Sequence, residues 1–225
     1  MMNLYRYYNH PITLDNYQEL GDVIIKVQNM LRWGRTVFEQ DLEDVKYIIQ
    51  KCPERAYRYA KLIMKRRWPE AEPYILKNAT YSYYYAKEVM VKRWPEAESY
   101  IIKDPYRAVW YARDVIVGRW PEAEPIITTC AESSWMYAYF ILDCRWLEAE
   151  PTIMKAGRYA YEYAKHIIQG RWPEAEPYIC QDTYYALYYA RDIIKGRWKE
   201  AEPAIMKDAY WKKQYLALFD CSIDS

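Results

Sequence analysis

Histidine, cysteine, glycine and phenylalanine are all scarce in this chain of 225 residues. It contains two histidines, five cysteines, six glycines and three phenylalanines. The cysteines are odd in number and form no CxxC pair, which argues against a disulfide framework or a zinc site. The chain also lacks a glycine-rich phosphate loop and any HExxH or GxSxG motif. The sequence therefore predicts a protein that is not an enzyme, holds no cofactor and binds no metal.

An excess of charge of one sign and long apolar runs are also absent. Lys and Arg together number 32 against 31 Asp and Glu, so no global field attracts nucleic acid or an anionic membrane. No apolar stretch reaches the roughly 18 residues of a membrane span, and the first residues, MMNLYRYYNH, lack the pattern of a secretory signal. Scattered cysteines fit a reducing compartment. We therefore expect a soluble, cytoplasmic protein without a membrane partner.

What the chain does contain is a repeat of 26 residues, marked by an Arg-Trp pair. Its evenly spaced tryptophans are Trp68, Trp94, Trp120, Trp146, Trp172 and Trp198. With tryptophan as position 0, alanine occupies position +3 and isoleucine position +7 in all six units. A fixed short period indicates a linear array in which each unit packs on its neighbours. The sequence predicts an all-α fold, an α-solenoid of short two-helix 26-residue repeats.

Each repeat is predicted to contain a short helix after the tryptophan and a long helix before it. Proline at +1 suits a helix start, and a second proline at +5 in most units limits the short helix. The long helix is expected from about −13 to −3, with Tyr at −9, Ala at −8 and branched residues at −5 and −4 on its buried face. Gly118, Gly170 and Gly196, at −2, are predicted to be left-handed caps. The abundant tyrosines suit a thin fold in which the ring is buried and the hydroxyl reaches water.

The repeat pattern fades towards both ends of the chain. We predict a degenerate N-terminal cap over residues 1–41, tandem 26-residue helical repeats over 42–207, and a C-terminal capping helix and tail over 208–225. Terminal units must present one face to water instead of to a neighbour, so their sequences are expected to diverge.

The candidate partner-binding residues lie at positions −10 and −7 of the long helices. On a helical wheel, position −10 lies opposite the buried face, yet large apolar residues occupy it in four of six units, next to cations at −7. These candidates are Tyr84, Lys87, Trp110, Arg113, Met136, Tyr188 and Arg191. Either the rings and cations pair with each other by cation–π contact, or they form an exposed basic and aromatic stripe for a partner. In the second case we expect Trp110 to be its centre.

The repeat motif resembles a known group of proteins. The segments GRWPEAEPYI (170–179) and YARDVIVGRWPEAEPII (111–127) resemble uncharacterised tandem 26-residue helical-repeat proteins of large tailed bacteriophages. The resemblance covers about residues 55–207 and carries no established activity with it. It implies a phage protein that acts on a host factor in the bacterial cytoplasm.

Taken with the absence of catalytic motifs, the repeats favour a non-enzymatic scaffold that binds a protein partner. One alternative is a nucleic-acid-binding solenoid that uses the −10 and −7 rows, although acidic residues at −6 argue against it. The other is a structural or assembly subunit that self-associates along the same face.

Overall fold

Residues 50–219 are described by the computed structural model, and they form an all-α solenoid of similar repeats. The predicted cap over 1–41, residues 42–49 of the predicted array and residues 220–225 of the predicted tail lie outside the described residues. The chain divides into two compact units, the first ending at Lys103 and the second beginning at Asp104. Within each unit the order is long helix, Arg-Trp, short helix, and each repeat is named below by its tryptophan.

The first unit contains the Trp68 and Trp94 repeats. Its helices are α1 (Pro53–Tyr59, continued by a π-helix over Ala60–Met64), α2 (Glu72–Ile75), α3 (Ala79–Tyr85, continued by a π-helix over Ala86–Met90) and α4 (Pro95–Ile101). The short helix α2 packs against both long helices, and the long helices pack against each other.

The second unit contains the other four repeats and a final helix. Its long helices are α5 (Pro105–Tyr111, then π over Ala112–Ile116), α7 (Ala131–Tyr137, then π over Ala138–Leu142), α9 (Gly157–Tyr163, then π over Ala164–Ile168) and α11 (Thr183–Tyr189, then π over Ala190–Ile194). The short helices are α6 (Glu124–Ile127), α8 (Glu150–Ile153), α10 (Glu176–Ile179) and α12 (Glu202–Ile205), and α13 (Ala209–Leu218) follows. Successive long helices pack side by side, with a short helix between each pair.

The proline at +5 decides where a short helix begins. Where it is present, the α-helix starts at +4, directly before the proline, even when +1 is Leu147 or Lys199. Ser99 replaces this proline in the Trp94 repeat, and there α4 begins at Pro95 and is seven residues long. Serine supplies the N–H that a longer helix needs and proline lacks. The prediction that the short helix is limited by this proline is confirmed.

The long helices end differently from the prediction. They run from −15 to −4, because the α-helix starts two residues earlier than expected and is completed by a π-helix. The residue with positive φ is at −3, as in Val117 (φ 58°), so the predicted glycine caps at −2 are wrong. The N–H groups of both Val117 and Gly118 donate to the carbonyl of Ala112, because the wider π turn brings two successive N–H groups to one acceptor.

Within each unit, a buried tyrosine at −9 joins a long helix to the preceding repeat. The Tyr163 hydroxyl accepts a 2.6 Å hydrogen bond from the Trp146 backbone N–H and donates to Glu150 at 3.1 Å. Its ring packs on Trp172, with the ring centroids 5.2 Å apart. Arg145 donates two hydrogen bonds to the same glutamate, each 2.8 Å long. The same hydroxyl contacts are made by Tyr85, Tyr137, Tyr189 and Tyr215.

We call this arrangement the tyrosine tie. Tyr163 is 0% exposed, so the expectation that the tyrosine hydroxyls reach water is wrong at position −9. The hydroxyl is buried because it satisfies the backbone N–H at the start of the tight Arg-Trp turn, where the helix geometry offers no acceptor. Together with the buried tryptophan, Ala at +3 and Ile at +7, the tie forms a frame that is nearly identical in each repeat. This frame sets the spacing of the outer faces of the long helices.

Candidate functional site

The seven candidate residues divide between the two units. Tyr84 and Lys87 lie on α3 in the first unit, where Tyr84 contacts the ring of Tyr57 and Lys87 donates to the hydroxyl of Tyr83. The other five lie in the second unit, on α5, α7 and α11 and the π-helices that continue them. Of these, Trp110 and Arg113 contact each other, as do Tyr188 and Arg191.

Position −10 is less exposed than a helical wheel indicates. Met136 is only 5% exposed, so the expectation that it faces solvent is wrong, and Tyr84, Trp110 and Tyr188 are half-buried. The physical reason is that successive long helices lie side by side. A residue opposite the buried face of one isolated helix therefore borders the neighbouring helix, which covers part of its surface.

Where −7 is arginine, the cation is stacked and neutralised within its own repeat. The guanidinium carbon of Arg113 lies 3.8 Å from the ring centre of Trp110, and that of Arg191 lies 4.3 Å from the ring centre of Tyr188. Arg113 also donates two hydrogen bonds to Asp114, at 2.6 and 3.2 Å. The cation–π interpretation therefore holds for these pairs. Whether they also bind a partner stays a prediction.

Polar side chains are in contact where the long helices α9 and α11 pack against each other. We call such a region between two successive long helices a junction. The Tyr161 hydroxyl, at −11, donates to Asp192 at 2.6 Å, and Lys165, at −7, donates to the same carboxylate at 2.8 Å. Arg191 donates to Asp192 as well, and these hydrogen bonds hold the pKa of Asp192 well below its usual range. We call Tyr161, Lys165 and Asp192 the polar triad. Tyr57, Lys61 and Glu88 make the same contacts in the first unit.

The junctions on either side of α7 carry aromatic contacts instead. In place of the triad, the α7–α9 junction has Trp135 at −11, Tyr139 at −7 and His166 at −6. The Trp135 and Tyr139 rings stack 5.7 Å apart with an interplanar angle of 11°, and His166 meets the Tyr139 ring edge to face at 5.5 Å. His166 also lies 3.3 Å from Glu162 on its own helix.

These rings continue to α5 through Phe140. The Phe140 ring lies 5.0 Å from Tyr139 and 5.9 Å from Trp110, and the Arg113 guanidinium lies over it at 5.3 Å. Tyr106 extends the cluster, since its ring lies 5.8 Å from that of Trp110. We define the aromatic surface as Tyr106, Trp110, Trp135, Tyr139 and Phe140. It is contributed by two successive long helices of the second unit and borders a third, α9.

The aromatic surface combines ring contact with solvent access. Tyr106, Tyr139 and Phe140 are 38%, 40% and 42% exposed, and Trp110 and Trp135 are half-buried. Contiguous apolar surface that remains exposed is uncommon on soluble monomers and is typical of interaction sites. The structure therefore brings one predicted site residue, Trp110, together with four aromatic residues that were not predicted as site residues.

A signal for Tyr139 and Phe140 was present in the sequence. Among the six repeats from Trp68 to Trp198, the Trp146 repeat alone has neither a cation at −7 nor an acid or histidine at −6. On a helical wheel, the large apolar residues at −10 are more conspicuous than the changed residues at −7 and −6 of this one repeat. The changes at −7 and −6 are therefore easily overlooked. The adjacency of −7 in one repeat to −6 in the next is set by helix packing 27 residues apart, which an isolated helix does not reveal.

The described residues offer neither a metal site nor a membrane span. Within residues 50–219, no three His, Cys, Asp or Glu side chains are grouped so that they could hold a metal ion. No helix in the same part of the chain is both long and apolar enough to cross a membrane. Comparisons with protein-family models, curated proteins and solved structures found no match to this chain.

Proposed function

We propose that this protein is a non-enzymatic repeat scaffold that binds a protein partner through the aromatic surface. The observation that carries the proposal is the replacement of the polar triad by exposed, mutually contacting rings at Tyr139 and Phe140. At the neighbouring junction in the same unit, between α9 and α11, polar side chains occupy the equivalent positions. The repeat fold therefore does not require exposed aromatic rings there. Aromatic residues and arginine contribute most to the affinity of many protein interfaces, and Arg113 lies against two of these rings.

Nucleic acid is the less favoured alternative. Phosphate binding needs cations that can replace counterions along a backbone. Arg113 and Lys165, at −7 of two repeats in the second unit, already contact Asp114 and Asp192. Phosphate would have to compete with these carboxylates, whereas an apolar protein segment would not. Self-association along the same surface remains a further alternative and is separated by the experiment below.

The nature of the partner follows from the resemblance of the repeats to those of large tailed bacteriophages. We propose that the partner is a bacterial host protein and that binding takes place in the host cytoplasm. The predicted site residues Tyr84, Lys87, Met136, Tyr188 and Arg191 then have smaller roles than Trp110 and Arg113, which belong to or contact the aromatic surface.

The test is a variant that converts the aromatic junction into the polar triad of the neighbouring repeat. Trp135→Tyr, Tyr139→Lys and His166→Asp together reproduce, between α7 and α9, the residues found between α9 and α11. We call this the triad variant. Because this unit already contains the same contacts, the variant is expected to fold with unchanged helical circular dichroism while it loses partner capture.

The measurement is affinity capture from bacterial lysate, with bound proteins identified by mass spectrometry. The matched control is Tyr184→Ala, which removes an exposed ring of α11 outside the aromatic surface. A protein retained by the parent and the control but lost with the triad variant supports the proposal. Equal capture by all three would contradict it. Capture that falls steeply with salt would favour nucleic acid, and concentration-dependent mass in sedimentation would favour self-association.

A further inference from the structure

A second group of aromatic rings lies where α11 packs against α13, away from the aromatic surface. The Tyr184 ring lies 4.5 Å from that of Tyr188 and meets the Trp211 ring edge to face at 5.5 Å. The Tyr210 ring lies 4.7 Å from that of Trp211. Tyr184 and Tyr210 are 43% and 61% exposed. These four residues, which we call the α13 patch, therefore present contiguous rings to solvent across two helices.

The lysines of α13 and of the turn before it are unpaired. Within residues 50–219, the side chains of Lys207, Lys212 and Lys213 make no ion pair, hydrogen bond or ring contact, and all three residues are exposed. At the aromatic surface, in contrast, Arg113 is held by Asp114. This part of the second unit therefore combines exposed rings with free positive charge, which the aromatic surface does not.

The repeat positions explain why these cations have no partner. In the Trp68 repeat, the lysine at +9 lies over the tyrosine ring at +6, but Ala204 occupies +6 before Lys207. When the 26-residue count is continued to α13, Leu218 falls at −6, the position that Asp192 occupies on α11. The ring at +6 and the acid at −6 that bind cations elsewhere are therefore both replaced by apolar residues here.

One of these cations lies beside the most exposed ring. Tyr210 and Lys213 are three residues apart on α13, so their side chains are neighbours on the same side of the helix. Lys212 is two residues from Tyr210 and projects from a different side. A ring and a free ammonium group are thus available together at Tyr210 and Lys213.

Exposed rings beside unpaired cations match the chemistry of single-stranded nucleic acid. Aromatic side chains stack on its bases, and free ammonium groups replace the counterions of its phosphates. The bases of a duplex are already stacked on one another, so a duplex offers these rings only groove edges and backbone. An acidic protein segment pairs with the lysines but brings no extended planar face to the rings.

We infer that the α13 patch binds single-stranded nucleic acid, with bases stacked on Tyr184 and Tyr210 and phosphates bound by Lys213 and Lys207. Because stacking and phosphate contacts do not read base edges, this binding has little sequence preference. The inference goes beyond the proposed function, since it concerns a different surface and a different class of partner. The pairing of cations that disfavours nucleic acid at the aromatic surface is missing at the α13 patch.

The experiment titrates a fluorescently labelled oligothymidylate of about twelve nucleotides with the full chain and follows anisotropy at several salt concentrations. A duplex of the same length and a polyglutamate peptide are the comparison ligands. We expect saturable binding of the oligothymidylate that weakens steeply with salt. The duplex and the peptide should both bind more weakly.

Two pairs of matched variants locate the site. Tyr210→Ala should weaken binding at least about tenfold, whereas Tyr106→Ala, which removes an exposed ring at the same repeat position of α5, should stay within about twofold of the parent. Lys213→Gln should weaken binding and lower the salt slope by about one. Lys212→Gln makes the same charge change on another side of α13 and should have a smaller effect. Helical circular dichroism checks that all four variants fold.

Several results would overturn the inference: no saturable binding of the oligothymidylate, equally tight binding of the duplex, or equal losses in Tyr210→Ala and Tyr106→Ala. Tighter binding of polyglutamate would assign the patch to an acidic protein segment instead. The proposed function is tested separately. The triad variant should bind the oligothymidylate within about twofold of the parent, whereas Tyr184→Ala should weaken this binding and leave protein capture unchanged.

Discussion

The two junctions made by α9 within the second unit show opposite chemistry on the same helical frame. Towards α11, the junction is closed by the polar triad of Tyr161, Lys165 and Asp192. Towards α7, the equivalent positions carry stacked and exposed aromatic residues. Beneath both junctions, the tyrosine ties have nearly the same geometry, with Tyr163 and Tyr189 hydroxyls 2.6 and 2.7 Å from the tryptophan N–H groups. The repeat therefore keeps the residues and geometry of the buried frame nearly constant, while the residues on the surface above it differ from one junction to the next.

The largest expected effect is the difference in stability loss between a substitution in the buried frame and one on the aromatic surface. Ile153, at +7, is fully buried, and Ile153→Ala should cost about 2 to 5 kcal/mol of unfolding free energy because it leaves a cavity. Phe140→Ala, on the exposed surface, should cost less than about 1 kcal/mol. Urea unfolding followed by circular dichroism gives both values. Similar costs would mean that the aromatic surface is part of the frame and not an addition to it.

A second test concerns the tyrosine tie. Tyr163→Phe keeps the ring against Trp172 but leaves the buried Trp146 N–H without its acceptor, so we expect a cost of about 1 to 3 kcal/mol. Tyr106→Phe removes the hydroxyl of a side chain that is 38% exposed, and it should be close to neutral. Thermal and urea unfolding measure the difference. If the two variants were equally stable, the hydroxyl would contribute nothing beyond the ring.

Acid should weaken the polar junction and the ties but not the aromatic contacts. Hydrogen bonds from Arg191 to Asp192 and from Arg119 to Glu124 lower the pKa of each carboxyl in the folded state. These carboxylates thus contribute stability above their unfolded pKa values of about 4, and the contribution is lost as pH falls through the lower folded pKa. Urea unfolding at a series of pH values below about 5 measures the loss.

The matched variant for the acid test is Asp192→Asn, which removes one of these carboxylates. Its unfolding free energy should lie below that of the parent at neutral pH and approach the parent value as the pH falls. A constant difference between the two proteins across the acid range would show that Asp192 does not contribute through its charge.

The smallest expected effects lie at the ends of the long helices. Val117 is β-branched and has φ 58°, a conformation that glycine adopts without strain. Val117→Gly should therefore stabilise the protein by about 1 kcal/mol. A Cβ at Gly118 would meet open space, and its φ is not positive, so Gly118→Ala should add about 0.4 to 1 kcal/mol. A Cβ at Gly157 would approach the Tyr178 carbonyl to 3.0 Å, so Gly157→Ala serves as the unfavourable control for the melting temperatures.

Much of the frame could be predicted from sequence because it depends on local patterns. The period, the two helices, the limit set by proline at +5 and the buried Ala and Ile positions all follow from residues within one repeat. The proposed aromatic surface was predicted less fully. Trp110 and Arg113 were named from the sequence but Tyr139 and Phe140 were not, and Met136, which was expected to face solvent, is buried. A helical wheel represents a single helix without the helices packed against it. It therefore does not show which of the outward-facing positions border the next repeat.

The sequence by itself determined an all-α solenoid with one short and one long helix in each repeat, because a strict 26-residue period repeats every local preference. Tertiary structure decided where the tyrosine hydroxyls bond, since Tyr163 meets Trp146 and Glu150 only after two repeats have packed. It also decided that the residue with positive φ lies at position −3 of each repeat. Finally, it decided that the side chain at position −7 of one repeat contacts the side chain at position −6 of the next. Those outcomes depend on the π turn and on helix packing, which bring together residues that are distant along the chain.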